Sequence, residues 1–426
     1  MRLVKKFLKV AGPGVITGAA DDDPSGIATY AQTGAQFGYT QLWTALFMLP
    51  FLIAVQEACG RIGAVTEQGL AGVIKTNYSK AILMAVVFLI LIANIINIGA
   101  DIGAMAAAAN LLVPINFKVL ALSFAIVIVF LEVFLCYKTY AKLLKFLCLS
   151  LLAYPLTAII VKQPWSEILR ATIIPHVQFD FEFLFIITGV FGTTISPYMF
   201  IWQANQVVEE KREKFLLNGN KNSHSHAKFI KTLRLDNFLG MLFSEITTWA
   251  IIVVSATVLH THGITNVETA ADAAKALEPL VNTFPHAGVL AKFIFSVGII
   301  GLGFLCVPIL AASAAYALTA AFNFPEGLNL TFYQGRHFYC IIIFATLIGL
   351  IMDFMQINPM KALVYAAVLN GIVAVPLLFL IFCIGKNKNI MGRYSSSRYS
   401  SLMVCIAFIC MLIAALAMLS TFFFRS

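Results

Sequence analysis

The chain has 426 residues, 60% of them hydrophobic and only 12% charged, with a mean hydropathy of +0.88. Soluble domains carry roughly 25% charged residues, so an ordinary water-soluble fold is excluded. The formal net charge of +9 comes from Lys and Arg lying between apolar segments without an aromatic-interleaved basic patch. That points to membrane topology determinants and against a nucleic-acid partner.

Apolar runs of about 20 residues recur from end to end, each long enough to cross a hydrocarbon core of roughly 30 Å as a helix. A membrane β-barrel would show alternating segments of about 10 residues instead. The reading is an all-α polytopic membrane protein with eleven spans, near 11–36, 41–61, 81–113, 118–137, 143–162, 183–207, 236–260, 288–321, 336–354, 361–385 and 400–423. The third and eighth exceed what a span needs, which implies tilt or an extension beyond the bilayer. No soluble domain is left over, so 1–426 reads as one transmembrane domain. The N-terminus is basic, then apolar, but runs into Asp21, Asp22 and Asp23 without a cleavage site, and reads as the start of the first span. The eight Cys residues form no CxxC pair and read as small apolar residues.

Cations gather in alternate connections: Arg2, Lys5, Lys6 and Lys9 before the first span; Lys138, Lys142 and Lys145 after the fourth; seven from Lys211 to Arg234 after the sixth; and Lys386, Lys388, Arg393 and Arg398 after the tenth. The 261–287 loop opposite holds only Lys275. Lys and Arg stay on the cytoplasmic side, so the N-terminus is expected inside and the C-terminus outside, in a bacterial-type plasma membrane. His224 and His226, in the long basic loop, read as solvent-exposed residues.

Two spans are interrupted. The first reads VITGAADDDPSGIATYAQTG, with acids, a proline and a glycine inside an apolar helix. A carboxylate near the bilayer centre costs several kcal/mol unless it is paired or faces a polar cavity, which makes Asp23 a functional candidate. Pro24 and Gly26 argue for unwinding near Asp23 and a restart near Ile27, freeing carbonyls such as that of Ala20 as oxygen ligands. Asp21 and Asp22 read as facing an aqueous vestibule. The sixth span, FIITGVFGTTISPYMFIWQANQ, is broken around Thr193, Ser196 and Pro197. Interrupted helices at matching places in two halves point to a transporter site at the bilayer midplane between inverted repeats. The repeats would be 11–162 and 183–385, with 400–423 as an accessory helix.

At these residues the chain resembles the Nramp family of divalent metal transporters, whose first helix carries DPGN and whose sixth carries MPH. Here the stretches are Asp23-Pro24-Ser25-Gly26 and Ser196-Pro197-Tyr198, and the likeness extends to GPG at 12–14, RIGAVTEQGL from Arg61, ADIG at 100–103 and NGIVAVPLL at 370–378. The resemblance implies a LeuT-like inverted-repeat bundle with broken first and sixth helices, alternating access, and a divalent ion carried as substrate without a resident cofactor. It matches Asp23 to the metal-binding aspartate, Ala20 to the first-helix carbonyl donor and Thr193 to the sixth-helix carbonyl donor. Asn370 falls near a position where some members present a glutamine. Gly26 and Ser196 stand where the family has its asparagine and methionine. Losing the thioether leaves harder oxygen ligands and space for a partly hydrated ion, which favours Mg²⁺ or Mn²⁺ over Fe²⁺. The pattern is similar to Nramp-related magnesium transporters. Tyr198 replaces the histidine of proton-coupled members, and Ala104 replaces a third-helix glutamate, although Asp101 matches the other acid there. Weak or absent proton coupling is expected, with Asp101, Tyr198 and Asp22 as the cavity or proton-handling candidates.

A transporter of amino acids or other small solutes on the same architecture would present backbone N–H groups to a substrate carboxylate, which the acidic DDDPSG break would repel. A cation channel would need a continuous pore with a filter or charged ring. An enzyme is not expected, since the chain lacks HExxH and GxSxG.

Overall fold

The structure is a computed structural model and describes residues 18, 20–134, 151–218, 223–355 and 357–424, with backbone alone described for 214–218, 223–227 and 422–424. Its main helices are α1 (Pro24–Phe37), α2 (Trp43–Thr66), α3 (Lys80–Asn110), α4 (Phe117–Phe134), α5 (Ala153–Ile160), α6 (Phe181–Thr194), α7 (Pro197–Asn218), α8 (Ser223–Val258), α9 (Ala287–Phe322), α10 (Arg336–Phe354), α11 (Pro359–Lys386) and α12 (Arg398–Phe424). Outside the described residues lie the GPG at 12–14, Arg2, Lys5, Lys6, Lys9, Lys138, Lys142, Lys145, Lys221, Cys136 and Cys148, together with the side chains of Lys214, His224 and His226.

Among the described residues, nine stretches are long and apolar enough to cross a membrane. They match every expected span except the first and fifth, which are described only in part. The basic connection after the sixth span, expected as a loop, is helical on both sides: α7 runs on to Asn218 and α8 begins at Ser223. The Lys, Glu, Leu and Arg residues there are good helix formers, so both helices extend beyond the apolar span.

The bundle turns apolar side chains outward. Phe88, Phe344 and Ile413 are 62%, 63% and 60% exposed, while Asp21, Asp22, Asp23, Asn97 and Asp101 are buried. That distribution suits a lipid solvent, where polar groups must be satisfied within the protein. Small residues allow the helices to approach. A Cβ built on Gly192 of α6 would lie 2.1 Å from the Ala367 carbonyl oxygen and 2.2 Å from the Gly371 nitrogen of α11. Close approach of backbones through small residues is the usual means of packing helices in a bilayer, where burial alone drives little association. Around this contact, α1 packs on α8, α6 and α11, and α3 on α9, α10 and α11.

Both ends of the bundle are tied. At one, Glu57 accepts from Arg61 Nε at 3.0 Å and Arg234 Nε at 2.9 Å, and Arg61 Nη1 reaches the Tyr394 carbonyl at 2.7 Å. The C-terminal end of α2, the first third of α8 and the segment before α12 therefore share one side, and Arg234 and Arg393, from the two basic clusters among the described residues, belong to these segments. At the other, Gln32 of α1 donates to the Thr265 carbonyl at 3.2 Å and accepts from Val267 N at 2.8 Å, fastening the 261–287 loop over α1.

A candidate cation site between two interrupted helices

Both interruptions fall immediately before a proline. The helical turn containing Ala20 and Asp21 stops at Asp22, and α1 restarts at Pro24; α6 stops at Thr194, and α7 restarts at Pro197. The restart expected near Ile27 is therefore three residues earlier. Proline suits the first position of a helix, where its missing N–H has no intrahelical partner and its fixed φ is already helical. Asp23 is the N-cap, with φ −64° and ψ 172°. Its Oδ1 accepts from Gly26 N at 2.7 Å and from Ser25 Oγ at 2.6 Å, so the residue that caps α1 also presents a buried carboxylate at the gap.

The second broken helix meets that carboxylate. Tyr198 OH, in the first turn of α7, lies 3.2 Å from Asp23 Oδ2 and 3.0 Å from the Ala20 carbonyl oxygen, and its single proton is shared between the two acceptors. Thr193 Oγ1, at the end of α6, lies 3.5 Å from Asp23 Oδ1, a long contact. Ser196 Oγ turns back onto α6 and donates to the carbonyls of Thr193 at 2.7 Å and Gly192 at 3.0 Å. The Thr193 group facing Asp23 is thus its hydroxyl, while its carbonyl is occupied by Ser196. A Cβ on Gly26 would lie 3.1 Å from Thr193 Oγ1 and 3.5 Å from Asp23 Oδ1, so any longer side chain there would enter the space between those two oxygens. Cys306 Sγ of α9 approaches the Ala20 carbonyl at 3.6 Å.

Asp23, Ala20, Gly26, Thr193 and Tyr198 are thereby brought together, with Ser196 beside them. Asn370 is engaged elsewhere: it exchanges amide hydrogen bonds with Asn97 of α3 at 2.9 and 3.1 Å. Asp101 lies within electrostatic reach of Asp23, and neither of its buried carboxylate oxygens has a hydrogen-bond partner. Asp21 and Asp22, expected at an aqueous vestibule, are instead fully buried against α8, where the Ser244 hydroxyl donates to both and the Thr248 hydroxyl to Asp22. Ser25 was not singled out from the sequence, although a serine two residues after an N-cap aspartate is placed to reach it. Cys306 carried no sequence signal.

None of the described lysines or arginines forms an ion pair with Asp21, Asp22, Asp23 or Asp101. Buried carboxylates without a cationic side chain are costly unless a proton or a cation neutralises them. Among the described residues no three His, Cys, Asp or Glu side chains converge into a chelating group. The oxygens around Asp23 form instead a sparse, hard donor set, suited to an ion that keeps some of its water.

The family model described as "Natural resistance-associated macrophage protein-like" matches residues 14–421. The divalent metal cation transporter MntH of Caldanaerobacter subterraneus subsp. tengcongensis is 24% identical over 94% of this chain and 90% of its own length. MntH of Clostridium acetobutylicum is 23% identical over 94% and 88%. In fold, the chain is similar to the manganese transporter of Eremococcus coleocola, with a TM-score of 0.76 at 15% identity over 99% of this chain and 89% of that one. It is also similar to MhsT in complex with L-phenylalanine, with a TM-score of 0.60 at 13% identity over 97% and 98%.

Proposed function

The chain belongs to the Nramp family, and from that membership we propose that it imports small divalent cations by alternating access through a site centred on Asp23, taking Mn²⁺ or Mg²⁺ ahead of Fe²⁺. The observation that carries the reading is the fully buried Asp23 carboxylate at the junction of both broken helices, facing the Ala20 carbonyl and the Thr193 hydroxyl without a cationic side chain. A divalent ion there replaces the missing positive charge, and the helix ends carrying its ligands are free to separate on either side. Gly26 and Ser196 offer neither amide nor thioether, which favours hard ions over softer ones. The names of the relatives, divalent metal cation transporters and a manganese transporter, support the same class of cargo.

The protein is an integral multi-pass membrane protein. We read its N-terminus as cytoplasmic, its C-terminus as outside, and the segments 11–162 and 183–385 as the two inverted repeats, supported by the matching breaks before Pro24 and Pro197. Tyr198 has no basic nitrogen with which to accept a proton near neutral pH, which supports weak or absent proton coupling.

Uptake by purified protein in liposomes loaded with a pH-sensitive dye tests both parts of the reading. Mn²⁺ and Mg²⁺ accumulate, Fe²⁺ lags, and the lumen acidifies little. Strong Fe²⁺ or Cd²⁺ transport without Mg²⁺ or Mn²⁺ transport overturns the selectivity, and robust metal-driven acidification overturns the uncoupled mechanism. A second expectation concerns the shared hydroxyl of Tyr198. Tyr198→Phe removes the donor that orients Asp23 Oδ2 and the Ala20 carbonyl, a loss of about 1 kcal/mol that raises the KM for Mn²⁺ roughly fivefold while leaving transport measurable. An unchanged KM would remove Tyr198 from the site.

A further inference from the structure

The basic stretch after the sixth span takes no part in the Asp23 site, yet its outward face on α8 is ordered. Lys228 and Lys231 are exposed in the first third of the helix, and Leu235 and Phe238, which share their face by spacing, are exposed beyond them. The change from cations to apolar side chains takes one helical turn, roughly 6 Å. On a surface facing lipid, that change marks the edge of the hydrocarbon, with the cations at the depth of the headgroups. From Leu235 to Val258 the helix then runs roughly 36 Å, enough to cross the hydrocarbon core.

The cations of this face are not answered by acids. Asp236 and Glu245, the two acids between Lys228 and Ile246, are buried, and neither Lys228 nor Lys231 forms an ion pair among the described residues. Arg234, with its side chain 59% exposed, spends only Nε on Glu57, at 2.9 Å, and its two terminal amines have no partner among the described residues. Glu57 also holds Arg61, which reaches the Tyr394 carbonyl at 2.7 Å and Ser396 Oγ at 2.9 Å. The exposed Arg393 stacks on the Tyr394 ring at 4.9 Å, and Tyr394 packs against the cluster that contains Ile230 and Leu233 of α8. Cations from two separate segments are thereby gathered at one end of α2.

We propose that Lys228, Lys231, Arg234 and Arg393 bind the headgroup phosphate of an anionic phospholipid, seated where α8 and α12 both pack on α2. The inference goes beyond the cargo reading and does not depend on it. Charge selects an anion, and a guanidinium with both terminal amines open matches paired phosphate oxygens. Depth selects a lipid: the cations stand one turn from exposed apolar residues, so a phosphate bound to them carries its acyl chains along Leu235 and Phe238. Occupancy fastens α8 to α2 and to the 392–396 segment through the Arg234–Glu57–Arg61 chain. The bound lipid therefore stabilises the helix whose Ser244 and Thr248 hydroxyls hold Asp21 and Asp22.

Thermal melts of the full-length protein in neutral detergent test this with three additives: dioleoyl-phosphatidylglycerol, dioleoyl-phosphatidylcholine and glycerol phosphate. Phosphatidylglycerol raises the melting temperature saturably, and the other two do not. Each cation near an anionic surface contributes about fivefold in affinity, so the double variant Lys228→Gln and Lys231→Gln raises the half-saturating phosphatidylglycerol concentration on the order of twentyfold. Lys118→Gln with Lys292→Gln, the same loss of charge in the early turns of α4 and α9, leaves that concentration unchanged. Both altered lysines of α8 are on the surface, and the comparison of additives on native protein needs no variant. No rise with phosphatidylglycerol, an equal rise with phosphatidylcholine or glycerol phosphate, or an unchanged half-saturation in the Lys228 and Lys231 variant overturns the lipid site.

Discussion

Liposomes carrying Asp23→Ala take up Mn²⁺ and Mg²⁺ no faster than protein-free liposomes. The substitution removes the carboxylate facing the gap between the helix ends and leaves Tyr198 OH, Ser25 Oγ and Gly26 N without their shared acceptor. Removing one partner of a buried ionic contact costs about 3–5 kcal/mol, which corresponds to a loss of bound ion on the order of a hundredfold or more. The effect on folding runs the other way in part. Alanine forfeits an N-cap worth about 1 kcal/mol, but it also removes a buried charge that no described lysine or arginine compensates. The variant is therefore expected to purify as a monodisperse protein that does not transport. Asp23→Asn separates the two roles, because asparagine caps a helix as well as aspartate does while lacking the charge. It is expected to match native thermal stability and still fail to transport. Uptake at a substantial fraction of the native rate in either variant would show that the ion binds elsewhere.

The parts legible from sequence were those where one residue violates the rules of its surroundings. An aspartate beside a proline within an apolar run is such a violation, and so is the Thr-Thr-Ile-Ser-Pro stretch of the sixth span. Both located the breaks to within a few residues. The direction of the error at Pro24 is instructive: read as the residue that unwinds the helix, it is the residue that restarts it. Pairings across long separations were not legible. Asn97 and Asn370 satisfy each other from 273 positions apart, and nothing in either local sequence names the partner. Ser244 and Thr248 carry no local signal in the sequence; packing alone sets their hydroxyls against Asp21 and Asp22. Thr193 shows a subtler limit. Its position was recognised, yet whether its carbonyl or its hydroxyl faces Asp23 depends on Ser196 turning back onto α6, a side-chain choice that spacing does not encode.

The second large effect concerns the contact that holds α6 in place. Gly192→Val is expected to lower the yield of monodisperse protein about tenfold and to leave a remainder that melts well below the native protein. The atoms a Cβ would strike, the Ala367 carbonyl oxygen at 2.1 Å and the Gly371 nitrogen at 2.2 Å, are both backbone, and no rotamer change relieves them. Gly371 is equally committed, since its own Cβ would lie 2.5 Å from the Thr188 carbonyl oxygen. Adding even a methylene to a filled core costs about 1–3 kcal/mol, and here two helices must part to admit two methyls and a Cβ. Gly72 supplies the control. It lies in the short helix Leu70–Asn77, and its Cβ would meet only Gln68 side-chain atoms, at 3.5 and 3.6 Å. Gly72→Ala is therefore expected to be neutral or to stabilise by up to about 1 kcal/mol. Size-exclusion profiles after stepwise heating compare the three proteins, and a Gly192→Val protein as stable as the native one would contradict the close approach of α6 and α11. Gly192→Ala, the smaller insult, connects this packing to transport. Gly192 immediately precedes Thr193, so any retreat of α6 from α11 moves the Thr193 hydroxyl relative to Asp23. The fraction of Gly192→Ala that folds should then bind Mn²⁺ more weakly than native protein, although the substituted residue touches no ion.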